Sequence, residues 1–143
     1  MKKRKQNQLS RCVVAALILG LFSMTTVAYA LPTGGTSTSA TITNTSATQM
    51  DIAGSKANNV INWQSFSIAN GETVAFDANN YLNLVRGTSK SEINGILNGT
   101  GNIYLINPNG ILFGSTARVN VGNLVASTRA ITNVYNTGAV SGT

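Results

Sequence analysis

The chain has 143 residues, a formal net charge of +6, no histidine and one cysteine. Without histidine it has no imidazole-based catalytic triad, and with one thiol it has neither a cluster of soft metal ligands nor an intramolecular disulfide. Half of its basic residues lie in the first eleven positions. The positive charge is therefore confined to one end and does not indicate nucleic-acid binding.

Residues 1–30 have the layout of a secretory signal. A basic start is followed by the apolar run 13–22 and then by Ala28-Tyr29-Ala30. The apolar run is shorter than a membrane-spanning helix requires, and small residues at Ala28 and Ala30 suit signal peptidase. We therefore predict a signal peptide over 1–30, which engages the general secretion machinery and is cleaved after Ala30. A membrane anchor is the alternative.

Residues 31–143 form the predicted secreted domain. They contain five basic and four acidic residues, a net charge of +1, and no cysteine. An exported domain without disulfides depends on packing and on backbone hydrogen bonds for its stability.

Short β-like runs separated by Asn and Gly fill this domain. The polar segment 31–48 predicts a loose start that becomes a strand near 40–43, and residues 60–68 alternate around Trp63 and Phe66 with one change of phase. The further predicted strands are TVAF, YLNLV, GIL, NIYLI, ILF, the run ARVNVGNLVAS and NTGAV. No segment combines helical periodicity with caps at both ends, so the chain is predicted to be all-β.

Three features favour a parallel β-helix among all-β folds. The strands are short, Asn and Gly recur at the predicted corners, and runs such as IYLI are apolar at consecutive positions, as in strands covered on both faces. Stacked Asn side chains at such corners can form hydrogen-bonded ladders. A β-sandwich with hairpins at the Asn-Gly pairs is the alternative.

The segment Asn107-Pro108-Asn109-Gly110 lies between two apolar runs. Asn at the first position, Pro at the second and Gly at the fourth are the preferences of a type I turn, and a hairpin centred on Asn109-Gly110 is the rival. The pattern predicts a turn and does not by itself predict a function.

The run NIYLINPNGILFGSTARVNVGNLVAST, preceded by VINWQSFSIANGETVAF, resembles the amino-terminal secretion domain of filamentous haemagglutinin-like exoproteins. These are the secreted partners of two-partner secretion systems, and many are adhesins. The resemblance extends from about Asn58 to Arg129. It combines the Asn-Pro-Asn-Gly-Ile element, its Leu-Phe-Gly continuation and a Val-Gly-x-Leu-Val-Ala-Ser end in one order.

The resemblance implies a right-handed parallel β-helix that a dedicated outer-membrane transporter recognises in the periplasm. It implies secretion to the medium or cell surface through the periplasm. The element implicated in export falls here on Asn107, Pro108, Asn109, Gly110 and Ile111.

Two departures from the family pattern limit what is carried over. Some members have a second, earlier Asn-Pro-Asn-Leu element, where this chain has ANNYLNL, so Asn79, Asn80 and Leu82 are not assigned to a motif. The chain also ends soon after NTGAV, so we expect a truncated β-helix from a longer exoprotein. Contacts with host-cell or surface glycans are then expected only through downstream regions.

A secreted carbohydrate-active β-helix enzyme, a polysaccharide lyase or hydrolase, is the alternative function. It would need converging acidic or basic groups, but the four carboxylates of the secreted domain, at positions 51, 72, 77 and 92, form no close pair in sequence. No calcium-loop or phosphate-loop spacing is visible. We therefore predict a non-enzymatic domain with no cofactor, no metal and no nucleic-acid partner.

Overall fold

The computed structural model describes residues 30–131, 133–134 and 140–141 of the chain. Of the predicted signal peptide only Ala30 lies within this part, and Ala28 and most of the predicted NTGAV strand lie outside it.

Every strand is short, as the spacing of Asn and Gly predicts. The strands are β1 (Ala40–Ser46), β2 (Gln49–Gly54), β3 (Asn58–Trp63), β4 (Thr73–Phe76), β5 (Asn80–Val85), β6 (Ser91–Ile93), β7 (Ile96–Asn98), β8 (Asn102–Ile106), β9 (Ile111–Phe113), β10 (Arg118–Asn120), β11 (Asn123–Ser127), β12 (Asn133–Val134) and β13 (Val140–Ser141).

Successive turns of the chain stack as coils of a parallel β-helix. The first sheet has the order β1-β2-β4-β7-β10 and the second the order β11-β8-β5-β3. The third sheet pairs β6 with β9, and a parallel bridge between Ile68 and Ile93 extends it to the first coil. All pairings between coils are parallel, with Asn58 opposite Asn80 and Thr73 opposite Ile96. The described chain therefore winds through about four coils, and the β-sandwich alternative is wrong.

The core lies inside the coils and consists of stacked apolar side chains. Ile68 and Ile93 are fully buried on the third sheet, and Leu97 is fully buried on the first. Trp63 packs edge-on against Phe66, with ring centroids 5.5 Å apart. Because each inward residue lies over its counterpart one coil away, burial and parallel pairing reinforce each other.

An asparagine ladder runs along the corner where the second sheet begins. The Nδ2 group of Asn80 donates to Oδ1 of Asn58 at 2.8 Å, that of Asn102 to Asn80 at 3.0 Å, and that of Asn123 to Asn102 at 2.8 Å. Asn side chains thus form a ladder as expected, but its members start strands instead of belonging to the Asn-Gly pairs. Among the described residues, Asn98 is the one Asn-Gly asparagine in such a contact between coils, where its Oδ1 accepts a bond from Asn120.

The two ends of the helix differ. At the amino-terminal end β1 pairs antiparallel with β2, Thr36 forms an antiparallel bridge to Asn62 of β3, and Thr33 forms one to Ser65 just after β3. These contacts cover both sheet edges of the first coil. At the other end Phe113 and Val119, which pair with the buried Ile93 and Leu97, are 38% and 37% exposed. No further described coil stacks on them.

Most predicted strands are confirmed. TVAF, NIYLI and ILF coincide with β4, β8 and β9, and the predicted strand near 40–43 lies within β1. The predictions omitted β2 and β6, which contain Asp51 and Glu92 on outward positions and therefore lack a continuous apolar run.

Asp77 joins two coils at the corner between the first and second sheets. Its carboxylate accepts hydrogen bonds from Gly54 N at 2.8 Å, from Asn79 N at 3.0 Å and from the Tyr81 hydroxyl. Burial alone raises the pKa of Asp77, but the hydrogen bonds from Tyr81, Asn79 and Gly54 outweigh it and hold the pKa below its ordinary value of 3.8. Burial and the bond to Asp77 raise the pKa of Tyr81.

We predict that Asp77 makes the domain sensitive to acid. A depressed folded-state pKa means that the stabilisation is present above pH 3.8 and is lost as the pH falls through the lower folded-state value. Asp77→Asn should lower the melting temperature at pH 6 but lose less further stability between pH 4 and about pH 2. Thermal melts followed by circular dichroism between pH 6 and about pH 2 measure the melting temperature of each variant, and Glu92→Gln is the control for an exposed carboxylate. An acid response of Asp77→Asn equal to that of the parent contradicts the assignment.

Candidate functional site

The predicted turn lies at the corner between the second and third sheets, where it joins β8 to β9. The carbonyl of Asn107 accepts a hydrogen bond from Gly110 N at 3.1 Å. Among the described residues only glycines have positive φ, and Gly110 is one of them at 121°. A hairpin turn of type I′ requires positive φ at Asn109, so the arrangement is the expected type I turn. The rival hairpin is wrong, because β8 and β9 belong to different sheets.

Asn107 is the buried anchor of the turn, with no exposed surface. Its Nδ2 group donates to Ser89 O at 3.0 Å and to Ser91 Oγ at 2.9 Å. Its Oδ1 accepts a bond from Asn109 N at 3.0 Å. A buried amide with its donors and acceptor engaged fixes the turn on the preceding coil, because leaving any of these groups unpaired is costly.

Asn109 is exposed, yet its amide is also engaged. Its Nδ2 group donates to Gly87 O at 2.7 Å and to Asn107 Oδ1 at 2.9 Å. Among the described residues no donor reaches Asn109 Oδ1. The side chain thus holds the turn with its nitrogen and presents its oxygen to solvent.

Pro108 and Ile111 occupy opposite environments. Pro108 is exposed, whereas Ile111 starts β9 opposite Ser91 and packs partly buried against the core. The five predicted residues are therefore brought together, but of these only Pro108 and Asn109 are exposed.

The loop 86–90 of the preceding coil lies directly against this turn, and the sequence analysis missed it. It supplies two of the carbonyls that the turn asparagines bind, and Ser91 N donates to Gly110 O at 2.9 Å. We name residues 86–90 together with 107–110 the corner surface. The polar stretch after YLNLV predicts a loop there, but not that it packs under the turn.

The corner surface contains two charged side chains, both basic, and each has a polar partner. Arg86 donates through Nε to Asn62 Oδ1 at 2.8 Å, and Lys90 forms an exposed ion pair with Glu92 at 2.8 Å. An exposed pair of this kind contributes little to stability.

The carboxylates lie on different parts of the helix. Glu72 precedes β4, Asp77 follows it, Glu92 lies on the third sheet, and Asp51 on β2 accepts a bond from Gln49 at 2.7 Å. Within the described ranges no three acidic, histidine or cysteine side chains are grouped as metal ligands. The same part of the chain has no helix long and apolar enough to span a membrane.

Comparison with known proteins places this geometry in a family. The family model described as TPS secretion domain matches residues 28–140. A heme/hemopexin-binding protein of Haemophilus influenzae strain Rd is 37% identical over 86 residues, which are 57% of this chain and 10% of that protein. A second heme/hemopexin-binding protein of Haemophilus influenzae is 35% identical over 98 residues, 66% of this chain and 11% of that protein. The chain thus spans about a tenth of the length of these relatives.

A solved structure shows the same fold. The crystal structure of the HMW1 secretion domain from Haemophilus influenzae superposes with a TM-score of 0.64 at 31% sequence identity. The match covers 71% of this chain and 28% of that one.

We predict that the two ends of the turn differ sharply in their effect on stability. Asn107→Ala leaves buried partners unpaired and should cost about 2 kcal/mol, lowering the melting temperature by roughly 5–10 °C. Pro108→Ala relaxes only a preset φ on the surface and should cost at most about 1 kcal/mol. Thermal melts of both variants measure the difference, and an equal or larger loss for Pro108→Ala contradicts the described anchor.

Proposed function

Because the chain belongs to the TPS secretion domain family, we propose that it directs a longer adhesin-like exoprotein to a dedicated outer-membrane transporter in the periplasm. The transporter recognises the corner surface of the folded domain. The full-length protein then reaches the medium or the cell surface, after the general secretion machinery has exported it and the leader 1–30 has been removed.

We assign transporter recognition to the corner surface because some atoms of the turn are buried and fixed while others are exposed. Asn107 and Ile111 hold the corner in place from inside, so Pro108 and the Asn109 oxygen are presented in a fixed arrangement. A rigid surface binds with a smaller loss of conformational entropy than a mobile loop does. An outward amide oxygen without a described donor is suited to accept a hydrogen bond from a partner.

The carbohydrate-active alternative finds less support. TPS and HMW1 secretion domains are secretion modules, and the four carboxylates here do not gather at one place. General acid–base cleavage of a glycosidic bond by the usual route needs two carboxyl groups across the scissile bond.

We predict that Asn109→Ala blocks secretion more than it lowers stability. The lost bond to Gly87 O is solvent-exposed, and Asn107 Oδ1 keeps its bond from Asn109 N when the bond from Nδ2 is lost, so melting should change little. One lost interfacial hydrogen bond of about 1 kcal/mol, by contrast, weakens transporter binding roughly fivefold. The measurement is the ratio of secreted to periplasmic protein in cells that contain the cognate transporter, together with the melting temperature of each variant.

Asn70→Ala is the matched control. Asn70 is an exposed residue of another Asn-Gly turn, in which Glu72 N bonds to Ala69 O at 3.0 Å and Gly71 has φ of 87°. It should melt and be secreted like the parent. Normal secretion of a stably folded Asn109→Ala protein, or an equal defect in Asn70→Ala, contradicts recognition of the corner surface.

A further inference from the structure

Glu72 is a buried carboxylate without a cationic partner among the described residues. Its side chain is 2% exposed. Oε1 accepts a hydrogen bond from Ala30 N and Oε2 one from Ala69 N, both at 2.8 Å. A buried carboxylate is costly unless a positive charge or several hydrogen bonds compensate it, and here the compensation consists of two neutral backbone amides.

One of these two donors belongs to the last residue of the predicted leader. Leu31 follows it, packs partly buried against the core, and donates no hydrogen bond from its own nitrogen within the described residues. Two residues further on, Thr33 N bonds to Ser65 O at 2.9 Å and Gln64 N bonds to Thr33 O at 2.9 Å. The chain is therefore fixed just beyond the predicted cleavage site, close to the Glu72 carboxylate.

We propose that the Glu72 carboxylate is the binding site for the α-ammonium group that cleavage of the leader creates on Leu31. This inference rests on the export route proposed above. Signal peptidase adds water across the Ala30–Leu31 peptide bond, which leaves a carboxylate on the leader and a protonated amine on Leu31. The Ala30 amide departs, and the new ammonium takes its place.

The geometry allows this exchange with little movement. Consecutive Cα atoms are about 3.8 Å apart, so the Leu31 nitrogen lies within one residue of the position from which Ala30 now donates. An ammonium offers three donors in place of one, and a charge-assisted bond to a carboxylate is stronger than one from a neutral amide. Leader removal would thereby tighten the first coil, on which all later coils stack.

No competing charge lies in the described segments that hydrogen-bond to Glu72. Its carboxylate bonds to Ala30 and Ala69, in the segments 30–33 and 68–71, and Ile96 N on β7 bonds to its carbonyl at 2.9 Å. None of these segments contains another ionisable side chain. Glu92 on β6 and Lys90 just before it pair with each other at the surface.

The composition makes the proposal easy to test. After cleavage the chain has neither histidine nor cysteine. Its amino terminus, with an ordinary pKa of about 8, is then the group expected to titrate between about pH 6 and 9. A paired ammonium has a raised folded-state pKa, so its stabilisation is complete below pH 8 and is lost as the pH rises through the raised value.

The experiment uses the full chain, exported with its leader and purified from the periplasm. Mass spectrometry should give Leu31 as the first residue. NMR titration should give an α-amino pKa at least one unit above about 8 in the parent and an ordinary value in Glu72→Gln. The melting temperature of the parent should fall by roughly 4 °C between pH 7 and pH 10, and that of Glu72→Gln should not. Glu92→Gln should behave like the parent.

The outcomes separate this proposal from the export proposal. An intact leader contradicts the export route, and the binding site with it. If the first residue is Leu31 but its α-amino pKa is ordinary, the Glu72 site is contradicted and the export route is not. The same holds if the melting temperature of Glu72→Gln falls with pH as that of the parent does. If Glu72→Gln does not fold, the α-amino pKa of the parent decides: a raised value supports the Glu72 site and an ordinary value contradicts it.

Discussion

Parallel pairing of each coil with the next is the interaction on which the rest of the structure depends. It brings residues about 22 positions apart into register, as with Asn58 and Asn80. The same register stacks the inward apolar side chains into one core and aligns the outward asparagines into a ladder. A single coil has neither a core nor a partner for its backbone, so no coil is stable alone. The covered edge at β1 and the segment before it is therefore a structural necessity.

The corner surface is a local consequence of this stacking. The turn at 107–110 rests on the loop 86–90 because the two segments occupy the same corner of successive coils. Asn107 is a polar residue at a fully buried position, and groups of the coil beneath accept the hydrogen bonds of its amide nitrogen. The corner surface is thus built by two coils, and substitutions beneath the turn should affect its shape as much as substitutions within it. Glu72 plays a comparable buried role at the start of the second coil.

The sequence predicts the all-β class, most strands and the turn, because short apolar runs and Asn-Pro-Asn-Gly have strong local preferences. It does not predict which asparagines form the ladder, since Asn58, Asn80 and Asn102 are matched only by the register between coils. The inward Asn83, which accepts a bond from the Trp63 indole at 2.9 Å, breaks the apolar pattern of its strand for the same reason. Contacts between distant segments likewise bury Glu72 and give the Asn109 side-chain nitrogen its hydrogen bond to Gly87 O. The proposed role of residues 107–111 in export comes from the family resemblance, because residue chemistry alone predicts only a turn.

Cross-linking tests the parallel register directly, because residues 31–143 contain no cysteine of their own. Thr73 and Ile96 are paired on neighbouring strands, and both lie outside the core. Their Cα atoms should lie about 5 Å apart, within disulfide range, whereas Thr73 and Asn98 are offset by two residues to about 8 Å, beyond it. The account predicts that Thr73→Cys/Ile96→Cys oxidises fully without loss of melting temperature and that Thr73→Cys/Asn98→Cys does not. Failure of the first pair, or equal oxidation of both, contradicts the stacked coils.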